Sequence, residues 1–153
     1  MKTFPIGGVH PPENKITAGS KIQKLAVSES VIIPVSQHIG APATVSVNKG
    51  DTVKAGQIIA TFKGFVSVNI HSSVSGKVNK IDTVIDSSGY KQTAVFIDVE
   101  GDEWLETIDR TDELKTEIRL SAEEIIKKCQ ESGIVGLGGA TFPSHVKLTI
   151  PAG

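Results

Sequence analysis

Gly50-Asp51-Thr52-Val53-Lys54-Ala55-Gly56-Gln57, followed by Ser73-Val74-Ser75-Gly76-Lys77-Val78, is the stretch on which the fold turns. Gly50 and Gly56 bracket a tight strand connection, Val53 plugs the core between them, and Ser75-Gly76 turns the chain into a closing strand. Asn48-Lys49-Gly50-Asp51 is a turn in which Gly50 takes a positive φ without steric cost. Upstream, Ala43–Val47 alternates small or apolar with polar residues, the period of a half-buried strand. Val31–Val35 reads as a strand whose Pro34 suits an edge or an end. Downstream, Ile58–Phe62, Phe65–Ile70, Lys77–Ile81 and Ala94–Val99 are further extended stretches, with Asp86-Ser87-Ser88-Gly89 as the turn before the last. Many short strands punctuated by glycine turns describe a barrel or a sandwich.

Composition agrees. The 153 residues suit one domain, or one small domain with an appendage. Aromatics make up 5%, with one Trp104 and one Tyr90, so the core must be built of Val and Ile, which favour pleated surfaces. A net charge of −1 without a basic stripe gives nucleic acid no purchase. Cys129 is the sole cysteine, which excludes a disulfide framework or a cluster ligated by cysteines of this chain alone. No apolar run approaches the ~20 residues that span a bilayer. The start, Met1-Lys2-Thr3-Phe4-Pro5, lacks the apolar stretch of a secretory signal. Direct membrane insertion is therefore not expected.

Four regions follow. Residues 1–30 form an extended N-terminal arm, because Gly7-Gly8-Val9-His10-Pro11-Pro12 joins flexible glycines to helix-forbidding prolines. Residues 31–100 form the β domain. Residues 101–120, acidic and polar, read as a linker with some local helix. Residues 121–153 begin with the clearest helix: Ser121-Ala122-Glu123-Glu124 offers a capping box, Ile125, Ile126 and Cys129 share a face, and Gly133 is the stop.

The glycine motif resembles the barrel-sandwich hybrid of biotinyl and lipoyl domains, so the expected fold is mainly β with an N-terminal arm and a C-terminal helix plus Gly-rich loop. Carrier domains of that type present a modifiable lysine at a hairpin tip. Here the tip falls at Phe65 or Val66, and Lys63 lies beside it in the wrong context, as a solvated surface lysine. His10, His38, His71 and His145 lack local metal-ligand spacing. His38 lies in a turn, where a backbone hydrogen bond is the ordinary role, and a phosphocarrier role for His71 or His38 is the less favoured reading. Cys129 reads as a small hydrophobe on a helix face. No catalytic residue and no metal ligand is assigned.

Gly136-Leu137-Gly138-Gly139-Ala140-Thr141-Phe142-Pro143 is the segment whose chemistry reaches beyond packing. Three glycines in four residues let successive N–H groups face one point, as in an anion-binding concavity. Pro143 suits the first position of a following helix, and Lys147 then falls one turn on, in reach of a phosphate. The spacing is neither a Walker A loop nor GxGxxG, and by itself it favours a mobile turn with a helix stub.

The run Gly133–Leu148, together with Gly7-Gly8-Val9-His10-Pro11-Pro12-Glu13-Asn14-Lys15 and Ile33-Pro34-Val35-Ser36-Gln37-His38-Ile39-Gly40-Ala41-Pro42, resembles the C subunit of Rnf ion-translocating electron-transport complexes. That family is similar to the flavin-bearing subunit of respiratory complex I. The resemblance implies that Gly136, Gly138, Gly139 and Ala140 line the flavin phosphate or nucleotide and that Lys147 pairs with phosphate. The complex I protein carries Arg where this chain has Leu137, so one charge contact is lost. The resemblance further implies a longer parent with FMN, NADH and two 4Fe-4S clusters, partnered by the other Rnf proteins at the cytoplasmic face of the membrane. Its work would be electron transfer between NADH and ferredoxin coupled to ion translocation. This chain, an amino-terminal piece stopping about two turns into the helix after the loop, is expected to bind none of these cofactors tightly and to be inactive alone. The alternative is a non-redox barrel adaptor or carrier-type binding module.

Overall fold

The computed structural model describes residues 7–8, 12–86 and 89–150. Val9, His10 and Pro11 of the arm motif, Ser87 and Ser88 of the hairpin turn, residues 1–6 and residues 151–153 lie outside the described residues. The elements are β1 (Ser30–Pro34), β2 (Thr44–Val45), β3 (Thr52–Val53), β4 (Ile58–Thr61), β5 (Ile70–His71), β6 (Gly76–Ile85), β7 (Lys91–Val99), α1 (Ala122–Glu131) and α2 (Ser144–Leu148).

The strands form two antiparallel sheets, β1-β7-β6-β3 and β2-β4-β5. The strands and the residues flanking them contribute Ile33, Val35, Ala43, Val47, Val53, Ile59, Ala60, Ile70, Val78, Val95 and Ile97 to one core. This is the barrel-sandwich hybrid, with a core built of Val, Ile and Ala as the composition demands. Each buried Val or Ile contributes roughly 1.5–3 kcal/mol of transfer free energy, which lets short strands hold without aromatic ballast.

The motif residues act as their chemistry suggests. Gly50 (φ 94°) and Gly56 (φ 83°) carry left-handed turns on either side of Val53, itself 1% exposed. The polar residues of the motif close those turns: Asp51 accepts from the Asn48 N–H at 2.7 Å, and the Gln57 side chain accepts from the Lys54 N–H at 3.0 Å. Gly76 opens β6 opposite Val53, so close to the Asp98 carbonyl of β7 that no side chain fits. The Ser75 hydroxyl, beside it, donates to the Glu100 carbonyl at 2.7 Å and accepts from the Glu103 N–H at 3.1 Å. Pro34 is the last residue of edge strand β1.

Three differences from the sequence reading have physical causes. The β6–β7 hairpin runs on through Ile85 and Lys91, longer than Lys77–Ile81 and Ala94–Val99 suggest; its outer half pairs backbone while leaving Ile81 and Ile85 exposed, so no burial pattern marks it. The 65–70 stretch is a strand only at Ile70. Between Phe62 and Asn69 the chain is held by side chains instead: Phe62 N–H to Asn69 Oδ1 (2.9 Å), Lys63 N–H to Ser67 Oγ (3.1 Å) and Ser67 O–H to the Ala41 carbonyl (2.8 Å). Residues 101–120 contain no helix; Glu103–Leu105 instead pairs in parallel with Ala55, and Ile108 covers Gly56. Residues 12–29 and 109–119 run over the surface, with Ile16, Ile22, Leu25, Leu114 and Ile118 uncovered.

Candidate functional site

The C-terminal unit begins at α1. Ser121 Oγ accepts from the Glu124 N–H at 3.3 Å, and Glu124 Oε2 accepts in return from the Ser121 N–H at 2.8 Å, which completes the expected capping box. At the other end Gly133 is left-handed (φ 72°), with Gly133 N–H to the Gln130 carbonyl and Ile134 N–H to the Cys129 carbonyl: a Schellman stop. Ile125, Ile126 and Cys129 lie half-buried on one face.

The helix end is sewn to the barrel by Asn69 and Ser67. Asn69 Nδ2 donates to the Glu131 carbonyl at 3.0 Å, and the Gln130 side chain donates to the Ser67 carbonyl at 3.2 Å. His71 lies beside Gly133, and burial lowers its pKa against the opposing pull of a hydrogen bond to the Glu131 backbone.

From Gly133 the chain enters the Gly-rich loop. Val135 and Pro143 form an isolated antiparallel bridge, Gly136 N–H donates to the Phe142 carbonyl at 2.9 Å, and Ser144 N–H donates to the Ile134 carbonyl at 3.0 Å. Residues 136–142 are thus a closed loop with its bend at Leu137–Ala140. Side chains added at Gly138 or Gly139 would meet nothing within 4 Å, so the backbone there is open to an approaching ligand. Ala140 and Leu137 are exposed as well. Gly136 lies inward, where a Cβ added to it would be 3.6 Å from the Lys147 ammonium. Lys147 Nζ is also 5.7 Å from the Phe142 ring centre. Gly136 and Lys147 therefore meet, with Gly138, Gly139 and Ala140 on the open bend beyond them. Pro143 is the residue before α2 rather than its first residue, and α2 spans five residues.

Thr141 takes φ 49°, and it is the only non-glycine among the described residues with a positive φ. A β-branched side chain is strongly disfavoured there; its hydroxyl donates to the Ala140 carbonyl at 2.7 Å.

An open glycine bend with an ammonium at its Gly136 end has groups of the kind that bind a phosphate. They do not fit an iron–sulfur cluster: the chain has one cysteine, and no group of three or more His, Cys, Asp or Glu among the described residues could hold a metal ion. His38 takes the backbone role expected of it: Nε2 accepts from the Val68 N–H at 3.3 Å, leaving Nδ1–H to donate to the Ile39 carbonyl at 3.1 Å.

Sequence reasoning gave His145 no role beyond failing the metal spacing. It is 2% exposed, its Nε2–H donates to the Phe65 carbonyl at 2.7 Å, and its ring meets the Phe65 ring edge-on at 5.8 Å. The contact joins residues 80 apart in the chain, so no local pattern announces it. It also puts α2 on the hairpin where a carrier domain would display its lysine.

These features define a class: a barrel-sandwich hybrid with a helix and a Gly-rich loop fastened to its hairpin. A family profile described as "RnfC Barrel sandwich hybrid domain" matches residues 2–102. The chain belongs to this RnfC family. It is 47% identical over 153 residues to the C subunit of the proton-translocating ferredoxin:NAD(+) oxidoreductase complex of Clostridium ljungdahlii, covering 99% of this chain and 33% of that protein. The C subunit of the Na(+)-translocating ferredoxin:NAD(+) oxidoreductase complex of Acetobacterium woodii is 47% identical over 95% of this chain and 32% of its own length. The C subunit of the ion-translocating oxidoreductase complex of Rhodobacter capsulatus is 37% identical, with 99% and 30% covered. The chain thus spans about a third of the length of these relatives.

Proposed function

We propose that this chain is part of the electron-input subunit of an ion-translocating complex that moves electrons between NADH and ferredoxin. Support comes from the names of the relatives and from one observation above the rest: the loop presents open backbone at Gly138 and Gly139, and the Lys147 ammonium lies against Gly136 at its base. In this reading the N–H groups of the bend, from Gly138 to Ala140, receive the phosphate of FMN or of the nucleotide. Lys147, lying against Gly136, balances the phosphate charge. Flavin, when bound, supplies the conversion between hydride transfer and single-electron transfer. Leu137, 89% exposed, offers the ligand an apolar side chain where complex I has a cation.

The division of labour follows. Residues 1–30 serve as an arm, 31–100 as a barrel that carries no redox group, 101–120 as a linker, and 121–153 as the beginning of the flavin and NADH domain. The two 4Fe-4S clusters belong to the rest of the parent protein. No helix among the described residues is long and apolar enough to cross a membrane; attachment at the cytoplasmic face through the other Rnf proteins is the arrangement we propose.

The test is a fluorescence titration of the full-length protein with FMN. Lys147→Ala should weaken binding about tenfold, the worth of a charge-assisted hydrogen bond, and Gly138→Val should weaken it further by closing the approach. Affinity unchanged in both variants would remove the loop from the flavin site. The isolated segment should show no low-micromolar quenching, because half a site lacks the opposing surface.

A further inference from the structure

Both ends of the Gly-rich loop are fastened to one short piece of the barrel. Before the loop, the last carbonyls of α1 are held by Asn69, whose N–H donates to the Gln130 carbonyl at 3.4 Å and whose amide donates to the Glu131 carbonyl at 3.0 Å. After the loop, His145 on α2 donates to the Phe65 carbonyl at 2.7 Å. Asn69 and Phe65 belong to the same 62–71 segment, and Asn69 Oδ1 also ties that segment together by accepting from the Phe62 N–H. The loop is therefore strung between two anchors on one hairpin.

We propose that His145 is a positioning residue for the loop: its Nε2–H bond to the Phe65 carbonyl fixes α2, and through α2 the Lys147 ammonium and the 138–140 peptides, against the barrel. The proposal rests on the reading of the loop as a flavin-phosphate site.

Three observations carry it. Ser144, which closes the loop by donating to the Ile134 carbonyl, immediately precedes His145, and Lys147 follows two residues later. A rotation of this short helix would move both the loop closure and the ammonium that lies against Gly136. Next, the bond is directional as well as buried: His145 is 2% exposed, and its ring meets Phe65 at 84°. Last, Nδ1 is buried and finds no hydrogen-bond partner among the described residues. An unmatched buried acceptor is costly. A leucine or phenylalanine would fill the same space without that cost, so packing alone gives no reason for an imidazole here. The directed Nε2–H bond does.

The test uses the full-length protein, with FMN as probe, titrated by fluorescence quenching alongside thermal unfolding without ligand. His145→Leu should raise the FMN Kd about tenfold through lost pre-organisation, while barrel unfolding stays close to wild type. His145→Gln, whose amide N–H reaches the same carbonyl, should return the Kd to near the wild-type value. His145→Phe fills the space without a donor and carries the leucine expectation should that variant not fold. A leucine variant that binds like wild type, or a glutamine variant as weak as leucine, overturns the proposal. The two readings separate cleanly. If Lys147→Ala weakens FMN binding and His145→Leu does not, only the positioning role fails; if neither Lys147→Ala nor Gly138→Val matters, the loop itself is not the phosphate site and the positioning role falls with it.

Discussion

Gly133 and Asn69 approach so closely that a Cβ on the glycine would lie 2.7 Å from the asparagine carbonyl oxygen. The glycine at the helix stop is thus also the residue that lets α1 reach the barrel. Gly133→Ala combines a left-handed φ with this contact and should cost about 2–3 kcal/mol. Hydrogen exchange is the discriminating measurement: amides of α1 should exchange faster while those of β6 and β7 keep their protection. Uniform loss of protection would mean that α1 is not a separately attached unit.

The capping box at Ser121 is solvent-exposed, and α1 has no fully buried residue to hold it. Helix formation then depends heavily on its ends. Ser121→Ala should lower stability by about 1 kcal/mol, visible as reduced helical circular dichroism on mild warming. An unchanged melting profile would place the helix's stability entirely in its docking to Asn69 and Ser67.

Thr141 pays for its left-handed backbone (φ 49°) in every folded molecule. Asn tolerates that region far better, so Thr141→Asn should stabilise the chain by roughly 0.5–1 kcal/mol in urea unfolding. Thr141→Val, which keeps the branching, should not. Equal stabilities for Asn and Val would show that the loop relaxes out of this conformation.

Burial holds the His71 imidazole below its ordinary titration range. The folded state therefore binds a proton there more weakly than the unfolded chain does. Its contribution is fully present above the ordinary His value of about 6.5 and is lost as pH falls through that value toward the lowered folded one. Wild type should accordingly lose stability relative to His71→Gln as pH falls through the ordinary His value of about 6.5 and below it. A pH-independent difference in unfolding free energy between the two would contradict the assignment.

The barrel was legible because its turns are chemically explicit. Gly50, Gly56 and Gly76 occupy conformations or contacts that other residues resist, and Asp51 and Gln57 close the turns within three residues. The helix was legible for the same reason, since Ser121, Glu124 and Gly133 act locally. What stayed hidden depends on distant partners: the anchoring of His145 to Phe65, the pairing of Ala55 with Trp104, and the side-chain scaffold that replaces strand between Phe62 and Asn69. Local periodicity carries no information about such pairings. In the candidate site, the glycines and Lys147 could be named from the sequence, but that Gly136 faces inward while Gly138 and Gly139 face outward could not.

The edges of the two sheets have a consequence for solubility. Sheet edges are templates for joining a strand of another molecule. Here three of the four edge strands, β2, β3 and β5, have only two residues each, and the fourth, β1, ends in Pro34. Those stubs offer few free N–H and C=O groups, and the proline removes one donor from β1, but β6 runs on to Ile85 past the two residues that β3 covers, Gly76 and Lys77. The open stretch of β6, with Ile81 and Ile85 exposed, is therefore where a strand of another molecule would join this Val- and Ile-rich domain.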